Sequence, residues 1–188
     1  ILDAATFRLL EGSPQERRRF LDWGVFHVEQ SFVDHWRATR KCLANRNHLL
    51  KSPAPDLKQV RAWNLELARE ADEVDRARKA YFSRFLPNFE AVLKEIADIG
   101  DISLEYRRGW DAELGLLEVL ERTESQDIKY KVTQKGPHRA DIVVKQGDIA
   151  AAEVLSRGQQ KMLVSALKLA QGGPESVNSC SGWTARFS

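Results

Sequence analysis

The chain has 188 residues, which is long enough for one domain or two small lobes with a hydrophobic core. Hydrophobic residues make up 43% and charged residues 30%, and no apolar run approaches the roughly 18 to 20 residues that a membrane span needs. This composition excludes a membrane-spanning protein. The formal net charge of +2 permits a nucleic-acid partner without requiring one.

Cysteine and histidine usage argues against a metal site and a disulfide framework. Cys42 and Cys180 lie far apart, with no second Cys or His at metal-ligand spacing, which indicates a reducing compartment such as the cytoplasm. His27, His35 and His48 fall on predicted helices without companions, so no metal is predicted. The chain has no signal peptide and no starting Met, which indicates an excerpt from a longer protein.

Residues 1–100 show helical periodicity and predict a helical lobe. Ser13 as an N-cap and Pro14 at the first helical position predict a helix start. Apolar residues then recur to about residue 50 with interruptions near Gly24 and at 29–31, which indicates one helix with a break or two helices end to end.

A proline-containing connection at 51–56 separates this region from a second long helix. That helix is predicted from residue 57 to about 99, with a break at Pro87. We expect it to pack antiparallel on the first helical region and to form an αα-hairpin. Trp23, Trp36 and Trp63 of this hairpin, and Trp110 beyond it, are expected in the core.

From residue 101 the pattern is typical of an α/β region. Gly136 and the three residues after it indicate a tight turn between two strands, in which His138 is a structural residue. The predicted elements are a strand at 102–106, a helix at 111–124, strands at 128–133 and 140–145, a turn at 146–148 and a helix at 153–171.

The clearest functional signal is the segment Leu-Ser-Arg-Gly-Gln-Gln at 155–160. Ser156 and Gln159 have capping-box spacing, so the first amides of the helix point outward at the positive end of its dipole. Gly158 does not block a phosphate, and Ser156 and Arg157 can add hydrogen bonds to one. The segment predicts an anion site. The alternative is an ordinary capped helix that binds nothing.

This segment resembles the signature motif of ABC-type ATPases, in the form found in the RecF family of bacterial recombination-mediator ATPases. Other segments resemble this family in the same order, so that the likeness spans about residues 1–171. These segments are residues 17–27, 85–89, 108–110, 118–122 and 136–141.

The resemblance implies an α/β fold: a P-loop NTPase of the ABC/SMC-like type, present here as its helical second lobe (1–100) and a partial ATPase head (101–171). The predicted helices are too short and irregular for a heptad coiled coil, which disfavours another SMC-like ATPase. Residues 172–188 resemble nothing in the family, and we interpret them as a truncation or frame shift near Gly172.

The family also implies a function. In such ATPases the signature of one subunit contacts the γ-phosphate of ATP held by the other subunit, a contact that Ser156 and Gly158 would make with Arg157 and Gln159 beside it. ATP, Mg²⁺, an ATP-dependent homodimer, single-stranded or gapped DNA, and the RecO and RecR proteins are implied for the full-length parent. Its implied roles are DNA replication, recombinational repair and the SOS response, with weak DNA-dependent ATPase activity.

Two departures from the family limit what this chain can do alone. No Gly-x-x-x-x-Gly-Lys-Ser/Thr occurs in it, and the paired acidic residues that bind Mg²⁺ are missing after Gln171. We therefore predict no catalytic residue in this chain, and neither ATP nor Mg²⁺ held by it. A helical protein-protein interaction module without nucleotide chemistry remains the alternative.

A basic strip is a further candidate site, for DNA phosphates. Acidic neighbours dilute its charge, and a solvated helix face is the alternative. Because three successive helix positions span about 200°, at least one of the first three arginines is expected to be internal. Its members are Arg17, Arg18, Arg19, Arg37, Arg40, Lys41 and Arg46.

Overall fold

The computed structural model describes residues 7–172, so the segment 172–188 discussed above lies outside it except for Gly172. None of the helices in this part of the chain is both long and apolar enough to cross a bilayer. The helices are α1 (Arg8–Glu11), α2 (Pro14–Val28), α3 (Phe32–Leu50), α4 (Leu57–Ile96), α5 (Leu116–Arg122), α6 (Glu124–Tyr130), α7 (Ala151–Val154) and α8 (Arg157–Gln171); the strands are β1 (Ile102–Arg107), β2 (Asp141–Gln146) and β3 (Ile149–Ala150).

The first helical region consists of two helices end to end, α2 and α3, which confirms one of the two predicted alternatives. Ser13 holds the N-cap position of α2, although its side chain makes no capping hydrogen bond. Gly24 does not interrupt α2. A Cβ at this position would lie 2.2 Å from the Tyr81 ring, so the glycine allows α2 and α4 to pack closely.

Helix α4 runs unbroken through Pro87, so the predicted break there is wrong. Phe85 and Phe89 on either side of the proline are 3% and 0% exposed, and this packing keeps the helix continuous despite the missing N–H donor. Asp56 caps its start by accepting hydrogen bonds from the amides of Lys58 and Gln59. Helices α3 and α4 pack along each other as the predicted hairpin.

The sheet has the order β1-β2-β3 and is antiparallel, with Ile102 opposite Gln146 and Arg107 opposite Asp141. The predicted strands at 102–106 and 140–145 are confirmed, and Gly147, with φ +59°, makes the turn between β2 and β3. The strand predicted at 128–133 is wrong, because that segment begins inside α6. The helix predicted at 111–124 is shorter and begins at Leu116.

Two hydrophobic clusters form the core, and each contains residues from both sides of position 100. The larger cluster joins α2, α4, the sheet and α8, with Leu21, Phe89 and Leu163 almost fully buried. The smaller cluster includes Trp110 and packs α5 on α4. The other expected core tryptophans are only half-buried; they are Trp23, Trp36 and Trp63.

Candidate functional site

The first turn of α8 has the capping box that the sequence predicts. Ser156 is in extended backbone conformation, with φ −61° and ψ 159°. The Gln159 amide lies 3.4 Å from Ser156 Oγ, and the Ser156 amide donates to Gln159 Oε1 at 2.9 Å. The Ser156 hydroxyl also donates to this oxygen, at 2.9 Å. These hydrogen bonds fix the end of the helix without covering it.

The amides of Arg157 and Gly158 lie in the first turn, where a helix supplies no carbonyl acceptor. Ser156, Arg157 and Gly158 are exposed, and a Cβ built on Gly158 would meet nothing within 4 Å. The helix dipole places partial positive charge at these amides. An anionic oxygen can therefore approach them directly.

The Arg157 side chain is fixed by contacts with other residues of the protein. Its guanidinium pairs with the Glu11 carboxylate of α1, lies 3.2 Å from Gln160 Oε1 and sits 5.3 Å from the centroid of the Phe7 ring. The Gln160 amide in turn donates to the carbonyls of Ala152 and Leu155. Arg157 thus fastens α8 to α1, and its charge is partly neutralised.

The arginines at the start of α2 connect it to β2. Arg17 donates to both carboxylate oxygens of Asp141, at 2.7 and 3.0 Å, and to the Gly12 carbonyl. Arg18 donates to the Ala140 carbonyl at 2.7 Å. Arg17 and Arg18 are therefore partly buried against β2 and the residue before it, which confirms that at least one of the three arginines is internal and corrects their inclusion with Arg19 in an exposed strip.

Arg46 is fully buried, with 0% of its side chain exposed. Its guanidinium lies 2.9 Å from the Asp127 carboxylate and donates to Asn64 and Thr133 at 2.6 and 2.7 Å. Burial lowers the pKa of Arg46, and Asp127 opposes this effect. Its inclusion in the basic strip was wrong, because this ion pair joins α3 to the middle of α6 inside the protein.

The remaining residues of the predicted strip are exposed on α2 and α3. Arg19 makes a loose contact with Glu16 at 3.4 Å, and Arg37 lies 3.8 Å from Asp34. The Arg40 guanidinium lies 4.7 Å from the centre of the Trp36 ring. Arg19, Arg37, Arg40 and Lys41 are the positions that can meet phosphates.

A second basic surface is missing from the sequence-based prediction. An open groove of about 1060 Å³ collects cationic side chains from α4, β1, α5 and the segment before β2. Within residues 7–172, Lys135 and Arg139 have no carboxylate at ion-pair distance, whereas each of the other four cations of the groove has one, from Asp75, Glu105 or Glu118. Only tertiary structure brings these cations together: Lys79, Arg107, Arg108, Arg122, Lys135 and Arg139.

His138 lies in a 3₁₀ turn, Pro137–Arg139, which confirms a structural turn but places it after α6 rather than after a strand. Its Nε2 donates to the Thr133 carbonyl at 3.0 Å. Burial, together with nearby arginines, lowers the pKa of His138 to about 4. Residues 7–172 contain no cluster of His, Cys, Asp and Glu arranged to hold a metal ion.

Comparison with known proteins gives one consistent result. No family model matches the chain. It is 49% identical to the DNA replication and repair protein RecF of Chromohalobacter salexigens over 172 residues, which are 92% of this chain and 48% of that protein. RecF of Stutzerimonas stutzeri is 45% identical, with 92% and 46% covered. The chain therefore spans about half the length of the curated relatives it matches.

Solved structures agree on the fold. The recombination mediator protein RecF with ATP, described in the RecFOR pathway, superposes with a TM-score of 0.81 at 22% identity, covering 90% of this chain and 48% of the other. RecF-ATPrS superposes with a TM-score of 0.79 at the same identity and coverage. The chain thus has the fold of about half of these RecF chains, and its described residues are mostly helical with a small sheet.

Proposed function

This chain belongs with the RecF proteins over about half of their length, and from that premise we propose that it is the signature-bearing segment of an ATP-dependent DNA replication and repair protein. Residues 1–100 are its helical lobe and residues 101–171 its part of the ATPase head. The open, capped start of α8 is the observation that carries this proposal.

The chemistry of that helix start suits a γ-phosphate. The exposed amides of Arg157 and Gly158 and the Ser156 hydroxyl lie at the positive end of the dipole, and a triphosphate brings more negative charge there than a diphosphate. Because the 188 residues contain no P-loop, the ATP and Mg²⁺ are held by another part of the assembly. The resemblance to the ABC-type signature motif supports a contact made across a homodimer, with Gln159 supporting Ser156.

DNA is the proposed macromolecular ligand, bound in single-stranded or gapped form. The exposed residues Arg19, Arg37, Arg40 and Lys41 and the basic groove provide cations for phosphates. The RecFOR pathway in the description of the related structure supports RecO and RecR as partners. We place the assembled protein in recombinational repair and the SOS response in the cytoplasm.

A chimera tests the contact across the dimer. Residues 7–172 of this chain replace the matching segment of Chromohalobacter salexigens RecF, and sedimentation velocity measures dimerisation with ATP, with ADP and without nucleotide. Ser156→Arg should abolish the ATP-dependent dimer while monomers still bind ATP, since the added side chain blocks the helix start. Ser83→Arg, at an exposed serine of α4, is the matched control and should leave the dimer intact.

Two results would contradict the proposal. The first is an ATP-dependent dimer of the Ser156→Arg chimera equal to that of the unsubstituted chimera. The second is an equal loss of ATP binding by Ser156→Arg monomers, which would place the site on the ATP-holding segment itself. As a further check, calorimetry on the 188-residue chain alone should show no magnesium-dependent ATP binding.

A further inference from the structure

A second cavity, of about 550 Å³, lies between α2, α3 and the 3₁₀ turn, away from the start of α8. Its size falls in the range of small-ligand sites, about 300 to 1,000 Å³. The indoles of Trp23 and Trp36 line it, and both are only half-buried. Asp22 lines the same cavity and accepts a hydrogen bond from Trp36 Nε1 at 3.2 Å.

The lining of this cavity is positively charged. Arg78 is neutralised by Asp22, which accepts two hydrogen bonds from it at 2.7 and 2.9 Å. No carboxylate of residues 7–172 is within ion-pair distance of Arg18 or Arg40, which also line the cavity. Burial and the neighbouring Arg78 lower the pKa of Arg18, consistent with uncompensated positive charge there. The cavity therefore favours an anion.

Two polar groups among the lining residues have unused hydrogen-bonding capacity. Thr39 is 4% exposed, and its hydroxyl has no partner in the described part of the chain. A buried hydroxyl without a partner is costly, so a ligand that supplies one gains free energy. His138 is neutral at pH 7 and donates from Nε2 to Thr133, which leaves its Nδ1 as an acceptor without a partner in the same part of the chain.

Aromatic walls beside guanidinium groups that have no carboxylate partner among the described residues suit a planar ring that carries a phosphate. We propose that this cavity binds one unpaired nucleotide of single-stranded DNA, its base against Trp23 and Trp36 and its phosphate near Arg18 and Arg40. Base stacking on aromatic side chains is the usual way in which proteins hold single strands. A base within a duplex is already stacked and paired, and would have to leave the helix to enter.

A strand is favoured over a free nucleotide because cations continue beyond the cavity. Lys41 is exposed on α3 next to Arg40, and the exposed Arg19 of α2 also lines the cavity, so that successive phosphates of a strand can meet both. A free nucleotide offers the same ring and phosphate without that added attraction. This inference rests on the proposed function only in taking DNA as the partner, and it concerns a site separate from the ATP contact.

The test uses the full 188-residue chain and fluorescence anisotropy with labelled (dT)15, a duplex of the same length, and unlabelled dTMP as competitor. Trp23→Ala should weaken single-strand binding about 5- to 150-fold, the range expected for one base stacked on an aromatic ring. Trp23→Phe should retain most of the affinity. The duplex should bind more weakly than (dT)15 and respond little to either variant.

Charge reversal at two neighbouring positions provides the matched comparison. Arg40→Glu should weaken (dT)15 binding about tenfold, because it removes the cation beside the base and the phosphate. Arg37→Glu makes the same charge change on the same helix outside the cavity, and should weaken binding less than about threefold. Thermal melts of each variant verify that it is folded, and Arg40→Glu keeps the test available if Trp23→Ala unfolds.

Three results would overturn the proposal. One is the absence of (dT)15 binding. Another is equal loss for Arg40→Glu and Arg37→Glu, with Trp23→Ala unchanged, which indicates a general basic surface. The third is dTMP binding as tightly as (dT)15, which makes the ligand a free nucleotide. The chimera carrying Arg40→Glu should still dimerise with ATP, so failure of this site is distinguishable from failure of the proposed ATP contact.

Discussion

The beginnings of α2 and α8 look alike in sequence and differ in structure. Each has an N-cap serine followed closely by arginine. At α2 the Ser13 side chain makes no capping bond, and Arg17 and Arg18 reach across to β2. At α8 Ser156 completes a capping box, and the first amides face solvent. A serine and an arginine at a helix start therefore do not by themselves indicate a ligand site.

The difference comes from what packs against each helix. Helix α2 lies against β2 and α4, so its polar side chains find partners within the protein: Asp141 for Arg17, and Arg78 for Asp22. Helix α8 buries its apolar side against α4 and leaves its first turn open. The first region is a structural junction between helices and sheet, and the second retains unused hydrogen-bond donors.

Breaking the junction should give the largest effect on stability. Arg78→Met removes the partner of Asp22, whose carboxylate would remain largely buried and uncompensated. Loss of one member of a buried ion pair costs about 3 to 5 kcal/mol. The free energy of unfolding, measured in urea, should fall by this amount. Burial opposes the charge of Arg78, but the attraction of Asp22 outweighs it and raises the pKa of the guanidinium.

Lys79→Met, one position further along α4, is the control for this prediction. Lys79 pairs with Asp75 at 2.8 Å, but 51% of its side chain is exposed, so its replacement should cost less than about 1 kcal/mol. Similar losses of unfolding free energy for the two variants would show that the buried Arg78–Asp22 pair stabilises the protein no more than an exposed ion pair does.

At the 3₁₀ turn, buried His138 should make the free energy of unfolding depend on pH. Because the pKa of His138 falls from 6.5 to about 4 on folding, the unfolded chain binds a proton between these values and the folded chain does not. The contribution of neutral His138 to the free energy of unfolding is complete above pH 6.5 and is lost as the pH falls toward 4. The difference of 2.5 pKa units corresponds to about 3 kcal/mol.

His138→Gln tests this assignment, since its amide can still donate to the Thr133 carbonyl but does not titrate. Urea unfolding at several pH values should show a shallower fall in stability between pH 6.5 and 4 for the variant than for the unsubstituted chain. Parallel curves for the two proteins over this range would assign the acid sensitivity to other groups.

Much of the fold could be predicted from local sequence. The helix start at Pro14, the two main strands and the αα-hairpin follow from capping residues and apolar periodicity, which act over a few neighbours. The single helix predicted at 153–171 is wrong in its first residues, because the chain leaves α7 after Val154 and α8 begins at Arg157. The capping box at Ser156 is equally local, because Gln159 lies in the same turn. Local rules therefore predicted the part of the site that depends on one helix.

The errors involve partners that are distant in sequence. Arg46 has the pattern of a surface residue, but it pairs inside the protein with Asp127, which lies 81 positions away in α6. Pro87 does not break α4 because Phe85 and Phe89 pack on residues from other elements. Local patterns also could not predict the basic groove or the Trp23–Trp36 cavity, since each is built from separate elements.

The smallest expected change in stability gives the most selective test of the open helix start. Ser156→Asp should leave the free energy of unfolding within about 0.5 kcal/mol, because aspartate caps helices as well as serine and its charge favours the dipole. Ser156→Ala, which loses the cap, should cost about 1 kcal/mol.

In the chimera the order of the two variants reverses. Ser156→Asp should abolish ATP-dependent dimerisation, because its carboxylate repels the γ-phosphate, whereas Ser156→Ala should only weaken dimerisation. If dimerisation followed stability across the two variants, the capping box would be a structural feature of α8 and not a phosphate contact.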